Sequence, residues 1–240
     1  MAFLIILTIF SGIFIKRKLG LKMQVYKYRS NYDFALKLLS RNKVYAPNKH
    51  QLNDPFEGIV TAKIYDEYKR LKSDLSSVEY ERKINLINKL YIQIGYIGIY
   101  SMSKTFQNEL LWSYYANSHK GFCIEYESSE MILEKSKSII FPKIIEIDYK
   151  KNPPIYSLKG MDNIDYDQFL TMLIGTKSYP WKHEDEIRLL FNENGEQEIS
   201  NTSIKSIIFG ARASKEDINN TIKIMSNKIR YYKMRIKKRI

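Results

Sequence analysis

Short apolar runs and amphipathic stretches alternate along the chain from about residue 24 onward. Period-two or continuous apolar patterns predict strands in QVYKYRS, GYIGIYSMSK, GFCIEYES, IIFPKIIEIDYK, DEIRLLFN, SIKSIIFGA and RYYKMRI. Helical spacing predicts helices after Asn31 or Asp33, between residues 65 and 93, in FQNELLWSYYANS, from Tyr166 to Lys177 and from Ser214 to Lys228. Strands and helices interleave without a regular βα repeat, so the pattern predicts a mixed α+β fold with a central, mostly antiparallel sheet flanked by helices.

The hydropathy pattern separates an N-terminal segment, residues 1–22, from a body, residues 23–240, in which no linker marks a further boundary. Residues 2–15 are apolar and uncharged, and Lys16, Arg17 and Lys18 follow at once. Fourteen residues are short of the roughly 20 that a spanning helix needs. The segment is interpreted either as a weak membrane anchor with the body on the cytoplasmic side or as a stretch upstream of a true start at Met23.

The formal charge of +13 is concentrated at the two ends of the chain. The first 23 residues carry four basic side chains and the last 13 carry seven, with no acid in either end, so the middle 204 residues are close to +2. A basic C-terminal end can hold nucleic-acid phosphate or simply keep the chain soluble. The one cysteine, Cys123, excludes a disulfide framework and predicts a reducing, cytoplasmic compartment.

Polar residues at the ends of predicted strands are the first candidates for chemistry. Arg29 ends the first strand, Ser101 and Ser103 share one face of a buried strand, and Glu184 and Glu186 share one face at the start of another. The sequence holds no glycine-rich phosphate loop, nucleophile elbow or metal-spaced set of His and Cys. We therefore expect any site to form where these cationic, hydroxyl and carboxylate groups converge.

A second set of candidates lies in turns and on a helix. It consists of Asn53, Asp54 and Glu57 in the turn NDPFEG, Arg188 beside the carboxylate pair, and the aromatic residues Phe106 and Trp112. Each has an ordinary structural explanation as well. Turn residues are chosen for backbone reasons, Glu186 can pair with Arg188, and a tryptophan on an apolar helix face is usually core.

Five segments in order resemble the bacterial domain of unknown function family 2971 (DUF2971). They are YKYRS, LNDPFEG, YSMSK, LLWSYYANSHKGFCIEY and WKHEDEIRLL, and the similarity runs from about Met23 to Ala211. The resemblance implies that these segments form one folded unit. It implies nothing about the reaction.

The order of Arg29, Ser101 with Ser103, and Glu184 with Glu186 also resembles ADP-ribosyltransferases of the arginine, Ser-x-Ser, Glu-x-Glu type. That resemblance implies an ADP-ribosyltransferase-like fold and NAD as substrate, with no metal required. It implies that Glu186 stabilises positive charge on the ribose and that Glu184 orients or deprotonates the acceptor. Arg29 would hold a phosphate and the two serines would brace the ribose. Phe106 or Trp112 would stack on nicotinamide; Met102 stands where threonine is usual.

Two other functions stay open at this point. RYYKMRIKKRI interleaves aromatic and basic residues, which favours RNA or DNA contact, and the carboxylates with Asp54 and Glu57 would then hold Mg²⁺ for phosphodiester cleavage. Nucleic acid or protein could also be the acceptor of ADP-ribose. The third hypothesis is a non-catalytic interaction module whose glutamates form an ion-pair network and whose residues 2–15 dock on a membrane or partner.

Overall fold

A seven-stranded sheet forms the centre of the computed structural model, which describes residues 22–54, 69, 76–133, 141–152, 166–225 and 229–235. The strands are β1 Gln24–Arg29, β2 Lys43–Ala46, β3 Gly98–Ser103, β4 Phe122–Glu127, β5 Lys143–Glu146, β6 Asp148–Lys150, β7 Thr176–Ser178, β8 Glu186–Phe191, β9 Gly195–Glu198, β10 Ile204–Phe209 and β11 Arg230–Lys233. The helices are α1 Tyr32–Leu39, α2 Ser77–Tyr96, α3 Glu109–Tyr115, α4 Tyr166–Gly175 and α5 Lys215–Met225.

The strand order in this sheet is β11-β10-β4-β1-β3-β8-β5. Neighbouring strands run antiparallel except β10 and β11, which are parallel. Two small sheets accompany it, an antiparallel β2–β9 pair and a parallel β6–β7 pair. The predicted α+β class with a mostly antiparallel central sheet is therefore confirmed.

Both faces of the central sheet carry apolar side chains because its buried strands alternate between two cores. One core joins Val25, Tyr100 and Phe122 of the strands to Leu36 of α1 and Met225 of α5. On the opposite face, α3 packs its Leu111 and Trp112 against strand residues that include Tyr26, Tyr28, Cys123 and Ile208. Two covered faces explain why β4, β8 and β10 read as almost continuous apolar runs.

The predicted helix starts at Asn31 and Ser214 are confirmed by their capping bonds. The Asn31 side chain accepts a hydrogen bond from the Phe34 amide at 3.0 Å, and the Ser214 hydroxyl accepts one from the Asp217 amide at 3.0 Å. Each bond satisfies an amide that the first helical turn leaves without a partner. Within α1 the buried residues are Ala35, Leu36, Leu38 and Leu39, and Phe34 is exposed.

Three short strands, β2, β7 and β9, were not predicted from the sequence. β9 has the sequence GEQE, with no apolar residue, and is held by backbone pairing with β2. The run IIFPKIIEIDYK divides into β5 and β6, which belong to different sheets. Lys177 lies in β7, beyond the end of α4, so the prediction that the helix extends to this residue is wrong.

Two predictions lie wholly or partly outside the described residues. The helical region expected from 65 to 93 corresponds to α2 from Ser77 onward, while residues 65–75, apart from 69, are not described. The apolar segment 2–15 also lies outside the described residues. Among those that are described, no helix combines the length and apolarity needed to cross a membrane.

The central sheet is open between β1 and β3. A single residue pair, Tyr26 with Ser103, joins these strands, whereas β1 pairs with β4 and β3 pairs with β8 over six positions each. Beyond that one pair, the Lys27 ammonium reaches across and donates to the Ser101 carbonyl at 2.5 Å. We call the opening between residues 27–29 of β1 and 100–102 of β3 the sheet seam.

Candidate functional site

Four charged side chains meet at the start of β8 and form what we call the ion cluster: Lys177, Glu184, Glu186 and Arg188. The Lys177 ammonium lies 2.5 Å from Glu184 Oε2 and 2.9 Å from Glu186 Oε2. Arg188 Nε donates to Glu186 Oε1 at 2.7 Å, and its Nη1 donates to the Ile174 carbonyl at 2.6 Å. All four side chains are buried. Charged groups leave water this completely only when each has partners of opposite sign.

The local backbone explains how two glutamates reach one lysine. Glu186 and Arg188 share a face of β8 because successive strand residues alternate. Glu184 does not belong to that strand, contrary to the prediction, but ends a 3₁₀ turn that spans Tyr179–Glu184. Asp185 joins the two elements in the left-handed region, with φ of +43°, and its side chain is exposed. The turn therefore brings Glu184 to the Lys177 ammonium by a path different from that of Glu186.

Glu186 is bonded to cations of the protein at both carboxylate oxygens. It accepts from Arg188 twice, at 2.7 and 3.2 Å, and from Lys177, and the neighbouring Ser101 hydroxyl also favours its charged form. A carboxylate has about four acceptor positions. Burial alone would raise the pKa of Glu186, but the charges of Arg188 and Lys177 and the hydrogen bonds hold that pKa well below its usual range. Glu186 is therefore a fixed anion at every physiological pH.

Glu184 keeps more capacity than Glu186. Its Oε1 accepts from the Tyr115 hydroxyl of α3 at 2.6 Å, and its Oε2 accepts from Lys177. Burial and the hydrogen bond to Glu184 raise the pKa of Tyr115 to about 12, and Asn53 also bonds to this tyrosine. The tyrosine hydroxyl is therefore a proton donor to Glu184 at neutral pH.

Two aromatic residues of the 3₁₀ turn form the outer wall of the ion cluster. The Trp181 ring lies over the Lys177 ammonium, 5.0 Å from it, and the His183 ring stacks on Trp181 with centroids 6.1 Å apart. His183 Nδ1 lies 2.9 Å from the Pro180 carbonyl, which can only accept, so Nδ1 carries a proton. The Asn108 amide bonds to the His183 carbonyl while its oxygen caps α3. The turn and α3 are thus tied together beside Glu184.

The sheet seam adjoins the ion cluster through Ser101. The Ser101 carbonyl accepts from Lys27, while its hydroxyl bonds to Glu186. Lys27 and Arg29 both lie over the Tyr100 ring, at 5.1 and 5.5 Å from its centroid. Both cations are half-buried. Arg29 is therefore linked to Ser101 and Glu186 only indirectly, through the Tyr100 ring and Lys27.

The predicted site residues divide into those the structure joins and those it does not. The ion cluster and the sheet seam include Arg29, Ser101, Glu184, Glu186 and Arg188, whereas Asn53 belongs to neither and lies beside Tyr115. Ser103 lies opposite Glu186 in the β3–β8 ladder, and its hydroxyl accepts from the Thr105 amide at 3.2 Å. Phe106 and Trp112 pack in the α3 core, where Phe106 contacts Tyr26 and Trp112 meets Tyr28 edge-on. Asp54 is buried in the turn, and Glu57 lies outside the described residues.

Sequence reasoning missed Lys27, Lys177, Tyr115 and Tyr149. The Tyr149 hydroxyl accepts from the Glu186 amide at 2.8 Å. Lys177 could have been predicted as a site residue, because it lies between an apolar helix and the Pro-Trp turn. A lysine that is buried in such a position needs an oppositely charged or hydrogen-bonding partner. Lys27 could not have been predicted, since the sequence QVYKYRS does not show whether the lysine side chain faces the protein interior or the solvent. Among the described residues, no three or more His, Cys, Asp or Glu side chains are grouped as metal ligands.

Fold and site together define an α+β protein with an open central sheet and a buried ion cluster beside the opening. Residues 111–189 match the model of a family described as "Protein of unknown function (DUF2971)". This match confirms the first family resemblance over a segment that contains Tyr115, Lys177 and both cluster glutamates. Residues 111–189 of the chain are thus similar to this family. No curated protein matched the chain, and neither did any solved structure.

Proposed function

We propose that this protein cleaves the bond between nicotinamide and ribose in NAD and passes ADP-ribose to water or to an acceptor. The observation that carries the proposal is that Lys27, which shares the Tyr100 ring with Arg29, bonds to Ser101 beside Glu186. A phosphate-binding cation, a ribose-binding hydroxyl and a fixed carboxylate are the groups that this chemistry needs. They come from β1, β3 and β8, and Lys27 and Tyr100 lie between Arg29 and the other two groups.

The reaction begins when the C1′–N bond breaks and its electron pair leaves with the nicotinamide nitrogen. The ribose then carries oxocarbenium-like positive charge, which a nearby carboxylate in a water-poor site stabilises. A water or acceptor oxygen forms the new bond to C1′ and loses its proton to a base. Nicotinamide and an ADP-ribosyl product result, and no oxidant or reductant takes part.

The hydrogen bonds assign different roles to the two glutamates. Three of the four donors to Glu186 are charged and one, the Ser101 hydroxyl, is neutral. A ribose hydroxyl would most easily take the place of that neutral donor, which leaves Ser101 free to bond the same ribose. Glu184 has two acceptor positions left and is the base that receives the acceptor proton. Lys177 bridges both carboxylates and offsets part of their negative charge.

The test is release of nicotinamide from NAD by the full-length wild type and by Glu186→Gln, in chelator, with water alone and with added RNA, DNA or protein extract. Exposed Glu196 pairs with Lys43 and supplies a matched control, Glu196→Gln. We expect release by the wild type and the control and at least a hundredfold loss in Glu186→Gln at a temperature where all three are folded. A folded wild type that releases none under any condition contradicts the proposal.

A second candidate function follows from how completely the ion cluster is closed. Glu184 and Glu186 are each 5% exposed, and both carboxylate oxygens of Glu186 are bonded to cations of the protein. An ion cluster with these properties would also stabilise the fold of a non-catalytic interaction module. That function predicts that Glu186→Gln lowers stability while no NAD is consumed by any variant.

A further inference from the structure

We infer that the sheet seam is an anion site that binds the diphosphate diester of a dinucleotide between Lys27 and Arg29. Lys27 has no role in the proposed reaction, yet it occupies the centre of the seam. The inference rests on the proposed function only for the choice of a dinucleotide. The charge and geometry of the sheet seam favour a bound anion whether or not that anion is a dinucleotide.

The seam carries positive charge without a matching acid. Within the described part of the chain, no carboxylate lies within ion-pair distance of Lys27 or Arg29. The neighbouring glutamates are committed to Lys177 and Arg188, so the ion cluster is neutral as a whole. Half-buried cations without a counter-charge are unfavourable, and a bound anion would remove that cost.

The donors are arranged for phosphate oxygens. Arg29 offers the planar fork that matches a phosphate in two bonds, and its guanidinium carbon lies 5.5 Å from the centroid of the Tyr100 ring. Lys27 spends one of its three N–H donors on the Ser101 carbonyl and keeps two. Since the two cations lie over the same ring, they can contact successive phosphates of one diphosphate.

Because Lys27 titrates near neutral pH, anion binding can be measured as the uptake of a proton. Burial first, and the Arg29 charge second, lower the pKa of Lys27 to about 7, while Glu186 and Glu184 act in the opposite direction and Lys177 adds to the lowering. Tyr100 and the Ser101 carbonyl are the facing groups on β3. An anion would raise this pKa, so binding at pH 8 should take up as much as about 0.9 proton.

ADP-ribose is the probe, because it has no nicotinamide bond to cleave. Its two phosphates are diesters and lack the second ionisation near pH 6 of a monoester, so its charge stays constant over the titration. Calorimetry in two buffers of different ionisation enthalpy gives affinity and proton uptake together. Because no reaction is needed, binding can succeed when NAD cleavage fails, and the two claims are separated.

Three variants of the full chain make the test specific. Lys27→Met should weaken ADP-ribose binding by about tenfold or more and abolish proton uptake. Lys27→Arg retains the charge and cannot titrate, so it should bind with affinity that does not change between pH 7 and 9. Lys43→Met, on β2 and paired with Glu196, is the matched control and should behave like the wild type.

The wild type should lose affinity above pH 7, by at most about tenfold per pH unit. Equal binding by Lys27→Met and Lys43→Met, or no proton uptake by the wild type, overturns the inference. Failure of the folded wild type to bind ADP-ribose overturns it as well. Displacement of ADP-ribose by a short single-stranded oligonucleotide at lower concentration than by NAD would overturn the dinucleotide assignment.

Discussion

Replacing Glu186 by glutamine tests the ion cluster in the free energy of unfolding. Glu186 faces three donors from two cations and one from Ser101. Glutamine keeps one acceptor oxygen, loses the charge, and turns an NH₂ group toward donors. Lys177 retains Glu184 as a partner, while Arg188, which is 1% exposed, loses its ion pair with Glu186. Leaving a buried charge without its partner typically costs about 3–5 kcal/mol.

The assay is thermal and urea unfolding of wild type, Glu186→Gln and Glu196→Gln. For a chain of this size about 3–5 kcal/mol corresponds to a melting temperature lower by roughly 6–20 °C. Glu196 is 44% exposed and pairs with Lys43 at 3.0 Å, so its substitution should cost about 0–1 kcal/mol. Equal losses in the two variants would refute the claim that the ion cluster is buried and paired as described.

The same comparison has a defined pH dependence. The pKa of Glu186 is lowered in the folded state, so its stabilising effect is complete above the unfolded pKa near 4.3 and declines as pH falls toward the folded value. The difference in unfolding free energy between wild type and Glu186→Gln should stay constant from about pH 6 to 8 and shrink below about pH 5. A difference that shrinks near pH 7 would place the relevant titration on another group.

Three further substitutions extend the account. Lys177→Met leaves Glu184 and Glu186 facing each other without their shared cation, so it should cost about 3–5 kcal/mol at pH 8 and less at pH 5, where the pair takes up a proton, as measured by urea unfolding. Asn31→Ala removes the α1 cap and should cost about 1 kcal/mol without altering ADP-ribose binding in calorimetry. In urea unfolding between pH 7 and 10 the wild type should gain stability relative to Lys27→Met, because the lowered pKa of Lys27 disfavours its charged form in the folded state.

The sequence pattern was sufficient for the strands and helices with a buried face. β8 and β10 each place apolar residues in a run, and capping residues mark the starts of α1 and α5. β9 could not be predicted, since GEQE carries no apolar signal and its pairing with β2 is a tertiary event. The local pattern of apolar residues predicts strands that have a buried face. It does not predict strands that are stabilised only by pairing with another strand.

The carboxylates of the candidate site were predicted from the sequence, together with Arg29 and Arg188, whereas Lys27 and Lys177 were not. Glu184 and Glu186 stand out because acids are rarely placed at the start of a buried strand. Glu184 lies in a turn and Glu186 in a strand because Asp185 adopts a left-handed backbone conformation. Aspartate tolerates this conformation but does not require it, so the sequence alone does not predict it. Lys27 enters the site only because β1 and β3 part after Tyr26, and this separation is a property of the whole sheet.

The central claim is that the sheet seam and the ion cluster act as one NAD-cleaving site through Ser101. The most direct measurement is the rate of nicotinamide release by wild type, Ser101→Ala and Ser103→Ala, with melting temperatures recorded for all three. Ser103 lies on the same strand and face but bonds to Thr105, so it is the matched control. We predict release by wild type and Ser103→Ala and at least a tenfold loss in folded Ser101→Ala. A folded wild type that releases no nicotinamide, or a Ser101→Ala variant as active as the control, would contradict the account.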